Sequence, residues 1–291
     1  MDTLKKRNLF LAATLILVAV IVAVSAVILA RGPRDSSVEV LERNADGTLL
    51  VNDLNDGQMT IPGYDIAVND YNPTAFQASN GVMTYTEGTS LVGINVNYKN
   101  GEIDWTQVAE NGVDFAMIRL GYRGYGTGRI VTDTYFETNL KGALENDIEV
   151  GVYFFSQAIN EEEAMEEAQY CMDLLQDYDI TYPIVFDWEP YDSSLNPRTD
   201  GLSDEMLTKC AVAFCQAVED GGYESMVYSN LTYFYLHYDL TQLVDFPLWL
   251  AQYNETPTFY YHFSMWQYSS TGTVPGIEGN VDLNIQLIPK A

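Results

Sequence analysis

The pattern of apolar and polar positions divides the chain into three regimes. From Leu9 to Ala30 it is continuous: 22 residues, mostly Leu, Ile, Val and Ala, without a single charge. A helix of that length spans the hydrocarbon core of a bilayer, whereas the apolar stretch of a cleavable signal peptide is commonly about 7–15 residues. Residues 9–30 are therefore expected to form a transmembrane signal anchor, with cleavage and secretion as the alternative. Lys5, Lys6 and Arg7 in the polar tail 1–8 favour a cytoplasmic N-terminus, weakly opposed by Arg31, Arg34 and Arg43 on the other side. Residues 31–88 keep neither a helical nor a strand period. Asp, Asn, Gly, Ser, Thr and Pro interrupt short apolar pieces such as Thr48-Leu49-Leu50-Val51. This reads as a stalk or linker with a few ordered contacts onto the C-terminal domain.

Residues 89–291 are regular. Strand-like apolar runs at Val92–Asn97, Phe115–Leu120, Val150–Phe155, Ile184–Asp187, Ser225–Ser229, Leu248–Ala251, Ser264–Gln267 and Val281–Asn284 alternate with amphipathic patterns. The helices expected are Trp105–Glu110, Thr134–Asn146, Glu161–Tyr178, Asp204–Asp220 with Ser203 as N-cap, and Leu231–Leu236. Strand–helix alternation implies a parallel sheet, and eight such strands in about 200 residues suggest a closed barrel. The fold class is thus α/β: an irregular TIM-like barrel of eight strands and about five helices, preceded by a transmembrane helix and a stalk. The late strands lack full helices, so one side should be irregular. A doubly wound open sheet is the alternative, but no Gly-rich phosphate loop follows the first strand.

The run Ile184-Val185-Phe186-Asp187-Trp188-Glu189-Pro190 carries the chemistry. Side chains on a strand alternate, so Asp187 and Glu189 share one face and Phe186 and Trp188 the other, with the two acids' Cα atoms roughly 6.5–7 Å apart. Two carboxyls that close do not ionise independently, and the more buried one is pushed toward its protonated form, where it serves as a general acid. Other strand ends add Asn95 and Asn97, Arg119 and Tyr122, Phe155 to Gln157, Tyr228 and Asn230, Gln252 and Tyr253, Trp266 to Tyr268, and Asp282 and Asn284. Acids, amides and aromatics on one rim suit a sugar polymer: rings stack, amides bond hydroxyl and acetamido groups, and paired acids cleave glycosidic bonds. The five glutamates between Glu161 and Glu167 read as a solvated helix face instead.

Composition narrows the choice. With 41 acidic against 14 basic residues the formal charge is −27, which excludes a nucleic-acid partner. Hydrophobic residues at 47% support a real core, so the acidity is not that of a disordered chain. Cys171, Cys210 and Cys215 have no metal-ligand spacing, and only two histidines are present, which disfavours a zinc site or a Ser-His-Asp triad. No cofactor is expected.

Residues 91–288 closely resemble the glycoside hydrolase family 25 lysozymes, the N-acetylmuramidases of bacterial cell walls. The resemblance runs through Gly93-Ile94-Asn95-Val96-Asn97, Gly101-Glu102-Ile103-Asp104-Trp105, Phe115 to Tyr122, Gly151 to Ala158, Phe186-Asp187-Trp188-Glu189, Trp249 to Tyr253, Trp266-Gln267-Tyr268 and Gly276 to Asn284. It implies a flattened eight-stranded barrel acting on the β-1,4 bond between N-acetylmuramic acid and N-acetylglucosamine. It also implies Glu189 as proton donor, Asp187 steering the acetamido group, and Asp282 in the same site. The substrate-binding residues expected are Asp282, Asn95, Arg119, Tyr153, Tyr228, Tyr253, Trp266 and Gln267. One departure stands out: the family's first strand usually reads Gly-Ile-Asp-Val-Ser, and here Asn95 and Asn97 replace the Asp and the Ser. An Asn cannot be a base, a nucleophile or an anion. The chain is therefore expected to be either a working muramidase with peptidoglycan strands as its partner or a weakened, binding-only relative, and in both cases membrane-held with its barrel outside the cytoplasm. A scaffold that uses the barrel as a spacer is a third reading.

Overall fold

The computed structural model describes residues 37–288. The expected anchor at 9–30 and tail at 1–8 lie outside the described residues; among those described, no helix is long and apolar enough to cross a membrane.

Residues 37–88 are more ordered than a stalk. β1 (Val38–Arg43), β2 (Thr48–Asp53) and β3 (Gly57–Pro62) form an antiparallel sheet, and β4 (Phe76–Ser79) and β5 (Val82–Tyr85) form a hairpin. Each strand has a single apolar face. Val38, Leu49, Val51, Ile61, Phe76 and Met83 are buried in the same core as the barrel's outer layer. Hydrogen bonds hold the region to residues 259–263: Asn69 N–H donates to Tyr260 O (2.8 Å), His262 N–H to Ala67 O (3.0 Å) and the Tyr71 hydroxyl to Phe263 O (2.9 Å). The composition hid this because short strands burying two or three residues each do not sustain a period.

The barrel elements are β6 (Thr89–Val96), α1 (Trp105–Glu110), β7 (Phe115–Arg123), β8 (Ile130–Thr132), α2 (Phe136–Leu144), β9 (Glu149–Ser156), α3 (Glu161–Leu175), β10 (Ile184–Trp188), α4 (Asp204–Asp220), β11 (Ser225–Asn230), α5 (Leu231–Leu236), β12 (Leu248–Ala251), β13 (Met265–Gly272) and β14 (Val281–Ile288). All eight expected strands and all five expected helices are present. The ring closes in the order β6-β7-β9-β10-β11-β12-β13-β14, with β14 returning to β6 and β8 paired outside the ring to β7. Strands β6 to β13 are parallel to their ring neighbours, but β14 is antiparallel to both β13 and β6. The all-parallel expectation thus fails at the eighth strand. Only residues 273–280 join β13 to β14, and a parallel crossover needs a dozen or more.

Strand alternation sorts the side chains into two layers. Phe115, Met117, Tyr153, Val185, Met226, Trp249 and Met265 fill the barrel. Phe186, Trp188, Val227 and Trp266 point outward to the helices and the N-terminal sheets. At the barrel floor the Phe115 ring lies against Gly93, its register partner, where an added Cβ would sit 2.1 Å from the ring. Phe186 meets Phe214 of α4 at 5.4 Å. Burial of such a ring contributes roughly 1.5–3 kcal/mol. Cys171, Cys210 and Cys215 are buried on α3 and α4, and Ser203 caps α4 by accepting from Met206 N–H.

The acidic face of α3 is not wholly solvated, contrary to expectation. Glu161, Glu162 and Glu166 are exposed, Glu163 is half-buried and Glu167 is fully buried. Glu167 is held by Arg123, whose Nε donates at 2.6 Å while Nη2 reaches Glu166 at 2.8 Å. Burial lifts the Glu167 carboxyl to about 7, against the pull of Ser156 and Arg123.

Candidate functional site

The rim at the carboxyl ends of the parallel strands opens into a polar cleft of about 270 Å³. β6 contributes Asn95 and, just beyond it, Asn97 and Lys99. β7 contributes Arg119, β9 Tyr153 and Phe155, and β10 Asp187 with Glu189 one residue past its end. β11 and β12 contribute Tyr228 and Trp249, with Tyr253 following β12, and β13 contributes Gln267. Asp282 enters from the opposite chain direction. Because β14 is antiparallel, its first residues reach this rim, and Asp282 lies in register with Asn95.

Nine of the ten residues singled out from the sequence line this cleft: Glu189, Asp187, Asp282, Asn95, Arg119, Tyr153, Tyr228, Tyr253 and Gln267. Trp266 does not. It alternates outward between Met265 and Gln267, is fully buried, packs on Phe76 at 5.4 Å and donates its indole N–H to Gln252 O at 2.7 Å. The cleft also holds Asn97 and Phe155, read from the sequence as strand-end residues of the rim, and Lys99 and Trp249, which were not. Lys99 could have been found from its place in the turn after the first strand, since loops at that end line the site in such barrels.

A directed hydrogen-bond network crosses the cleft floor. The hydroxyls of Tyr228 and Tyr253 donate to Gln267 Oε1 at 3.0 and 2.7 Å. Gln267 Nε2 donates to Asn95 Oδ1 at 2.8 Å, and Asn284 Nδ2 donates to the same oxygen at 3.0 Å. The Trp249 indole fixes Asn284 by donating to its Oδ1 at 2.9 Å. With Oδ1 filled by two donors, the Asn95 amide nitrogen faces Asp282 and donates to its Oδ2 at 2.7 Å. Asn95 is thus a fully engaged relay, and its orientation follows from its partners.

The carboxyls respond to this setting. Burial raises Asp282, while the Asn95 bond and Lys99 hold it down. Burial raises Glu189 and Asp282 raises it further, against the Tyr228 hydroxyl and Lys99. Asp187 is pushed well above the usual carboxylate range by burial, then by Glu189; Arg119 opposes and Asp282 adds to the rise. Asp187 Oδ1 is buried with no hydrogen-bond partner among the described residues. Asp187 and Glu189 therefore compete for protons, and one acceptor oxygen stands ready for a donor from outside. Arg119 is held by Asp133: its Nε donates to Asp133 Oδ2 at 2.8 Å, with its Nη2 at 2.6 Å. The main chain at Glu189 is fixed by buried Gln157, whose Nε2 donates to Glu189 O at 2.9 Å and whose Oε1 accepts from Thr199 at 2.9 Å.

Comparison with known proteins agrees with this geometry. Residues 94–277 match the family model of the glycosyl hydrolases family 25. An autolytic lysozyme of Clostridium acetobutylicum is 25% identical over 195 residues, covering 67% of this chain and 55% of the relative. The modular autolysin LytC of Streptococcus pneumoniae superposes with a TM-score of 0.59 at 23% identity, over 82% of this chain and 56% of that one. The spore cortex lytic enzyme SleM of Clostridium perfringens gives a TM-score of 0.59 at 25% identity, over 68% of this chain and 67% of that one. The chain thus spans little more than half the length of the first two.

Proposed function

The chain belongs to glycosyl hydrolases family 25, and from that premise we propose that it is a peptidoglycan hydrolase, an N-acetylmuramidase that cleaves the β-1,4 bond from N-acetylmuramic acid to N-acetylglucosamine. The observation that carries the reading is the pair formed by Glu189 and the buried, unpartnered Asp187 at the floor of a sugar-sized cleft.

In the free site burial pushes both carboxyls toward their protonated forms, Asp187 the more strongly. An acetamido N–H donating to Asp187 favours its charged form and leaves the proton on Glu189. Glu189 then protonates the glycosidic oxygen. The acetamido carbonyl oxygen attacks the anomeric carbon as the bond to the leaving sugar breaks. Water, giving a proton to the Glu189 carboxylate, opens the cyclic intermediate. Two displacements at one carbon retain its configuration. Asn95 takes no charged part in this route; its amide aims Asp282 and favours that carboxyl's charged form against the push of burial. The relative from Clostridium acetobutylicum is named an autolytic lysozyme, and the LytC structure is described as a complex with a synthetic peptidoglycan ligand. Both names support a glycan substrate.

We further propose that residues 9–30 anchor the enzyme in the membrane, with the barrel extracytoplasmic, for local remodelling of the wall. The test is mass spectrometry of fragments released from purified peptidoglycan by the full chain beside Glu189→Gln. Reducing muramic acid ends are expected from the native protein, with the rate lowered by roughly 10²–10⁴-fold in the variant, the range of a lost general acid. Tight binding without release by the native protein would make it a binding protein built on a disabled enzyme. Neither binding nor release would return it to a scaffold.

A further inference from the structure

The closed part of the cleft, at about 270 Å³, lies below the size that buries a drug-sized ligand. It takes about one sugar residue, so the remainder of a polymeric substrate rests on the rim. One side of that rim is built of aromatic rings that the hydrolytic steps do not use. The Tyr125 and Tyr191 rings stack with centroids 4.4 Å apart, and Phe155, a cleft residue, meets Tyr191 edge-on at 6.0 Å. The Arg119 guanidinium, also in the cleft wall, lies over the rings of Tyr98 at 5.0 Å and Tyr122 at 5.4 Å. Tyr98 is 48% exposed, and Tyr122, Tyr125 and Tyr191 are half-buried. The two groups flank the same wall, since Phe155 and Arg119 both line the cleft.

The loops bearing these rings are fixed from beneath. Arg198 N–H donates to Tyr125 O at 2.8 Å, tying the segment after β10 to the β7–β8 hairpin. The Arg198 side chain donates to Gln157 O at 2.9 Å and to both oxygens of Glu163 at 2.5 and 2.6 Å. Arg123 donates to Gly128 O at 2.8 Å and to Glu163 O at 2.9 Å from within the same hairpin. The buried charge cluster on α3 therefore clamps both loops. Rings held before the ligand arrives lose little freedom on binding. Aromatic bodies with polar tips match the alternating apolar faces and hydroxyl edges of a pyranose.

We propose that Tyr125, Tyr191 and Phe155, with Arg119, Tyr98 and Tyr122, form a preorganised saccharide platform. It extends the cleft and holds a further sugar of the same glycan strand, beyond the pair flanking the scissile bond. The proposal rests on the peptidoglycan-hydrolase reading, and the test separates the two. Peptide-free peptidoglycan oligosaccharides of increasing length are titrated into the full chain by calorimetry, and their hydrolysis is followed separately. The proteins are native, Tyr191→Phe, and Tyr125→Ala with Tyr191→Ala. In the native protein affinity rises with chain length. The double alanine variant loses about tenfold on the long oligosaccharide, the scale of a truncated aromatic anchor, and nothing on the shortest. Tyr191→Phe keeps the length dependence, because the ring face and not the hydroxyl carries it. Equal weakening on all lengths, or none, overturns the platform. Native binding with length dependence but no hydrolysis refutes the muramidase and leaves the platform standing. Length dependence that appears only with peptide-bearing fragments refutes the saccharide assignment and gives the surface to the stem peptide.

Discussion

Asn95→Asp places on the first strand the carboxylate that the family resemblance implies there, and the structure predicts what that costs. The Asn95 amide nitrogen is 2.7 Å from Asp282 Oδ2, and its oxygen is filled by Gln267 and Asn284. The new carboxylate keeps those two donors on one oxygen and turns the other toward Asp282. Two unit charges about 4 Å apart at an effective dielectric of about 20 repel by about 4 kcal/mol, or about three pKa units. The new pair therefore holds one proton up to near neutral pH. A carboxyl whose folded pKa is raised binds a proton that the unfolded chain releases, so stability relative to the native protein falls as pH rises from about 4 and levels off near 7. Urea unfolding of both proteins at pH 4 and pH 7.5 measures this: near-equal stability at the lower pH and a deficit of up to about 4 kcal/mol at the higher. Above the pair's second titration the added charge also keeps Glu189 protonated longer, so the descending limb of the pH–rate profile moves to higher pH. A deficit equal at both pH values, with an unshifted profile, would refute the claim that the Asn95 amide favours the charged form of Asp282 where a carboxylate would oppose it.

Two further substitutions probe other parts of the site. Asp187→Asn removes a buried carboxyl whose pKa is raised by burial and by Glu189; the native protein loses stability as pH rises above the unfolded carboxylate range, so the variant should melt higher than the native at pH 7, converge with it near pH 3, and lose hydrolysis while it gains stability. Trp266→Phe should lower the melting temperature, through lost packing on Phe76 and the lost bond to Gln252 O, and leave KM unchanged; a raised KM would put the indole back in the cleft.

The barrel was legible because its strands are buried on both faces and its helices on one, so each left a periodic trace with Gly, Pro and polar breaks between. The bounds of α1, α4 and α5 match expectation residue for residue. What the sequence hid was non-local. Nothing in Val281–Ile288 states its direction; that is set by the eight-residue connection before it. The order of residues 37–88 was hidden for the related reason that the segment is tied down by Tyr260, Tyr261 and Phe263, some two hundred residues away.

At the site, strand ends identified the cleft residues because a barrel brings its carboxyl ends together. The period of two, applied to Met265, Trp266 and Gln267, would have removed Trp266. Residue type alone misread one feature and did not show the setting of another. The acidic run on α3 looked solvated, yet Glu167 meets Arg123 from β7 and Glu163 meets Arg198. Asn95 stands where the family resemblance implies an Asp. In place it accepts from two amides and hands a single N–H to Asp282, which an aspartate in that position cannot do without a shared proton. The substitution exchanges a fourth carboxylate in a crowded site for a donor that opposes the upward push of burial on the third. The antiparallel strand brings Asp282 to this rim in register with position 95, and it is the carboxyl through which the proposed route runs without an acid on the first strand.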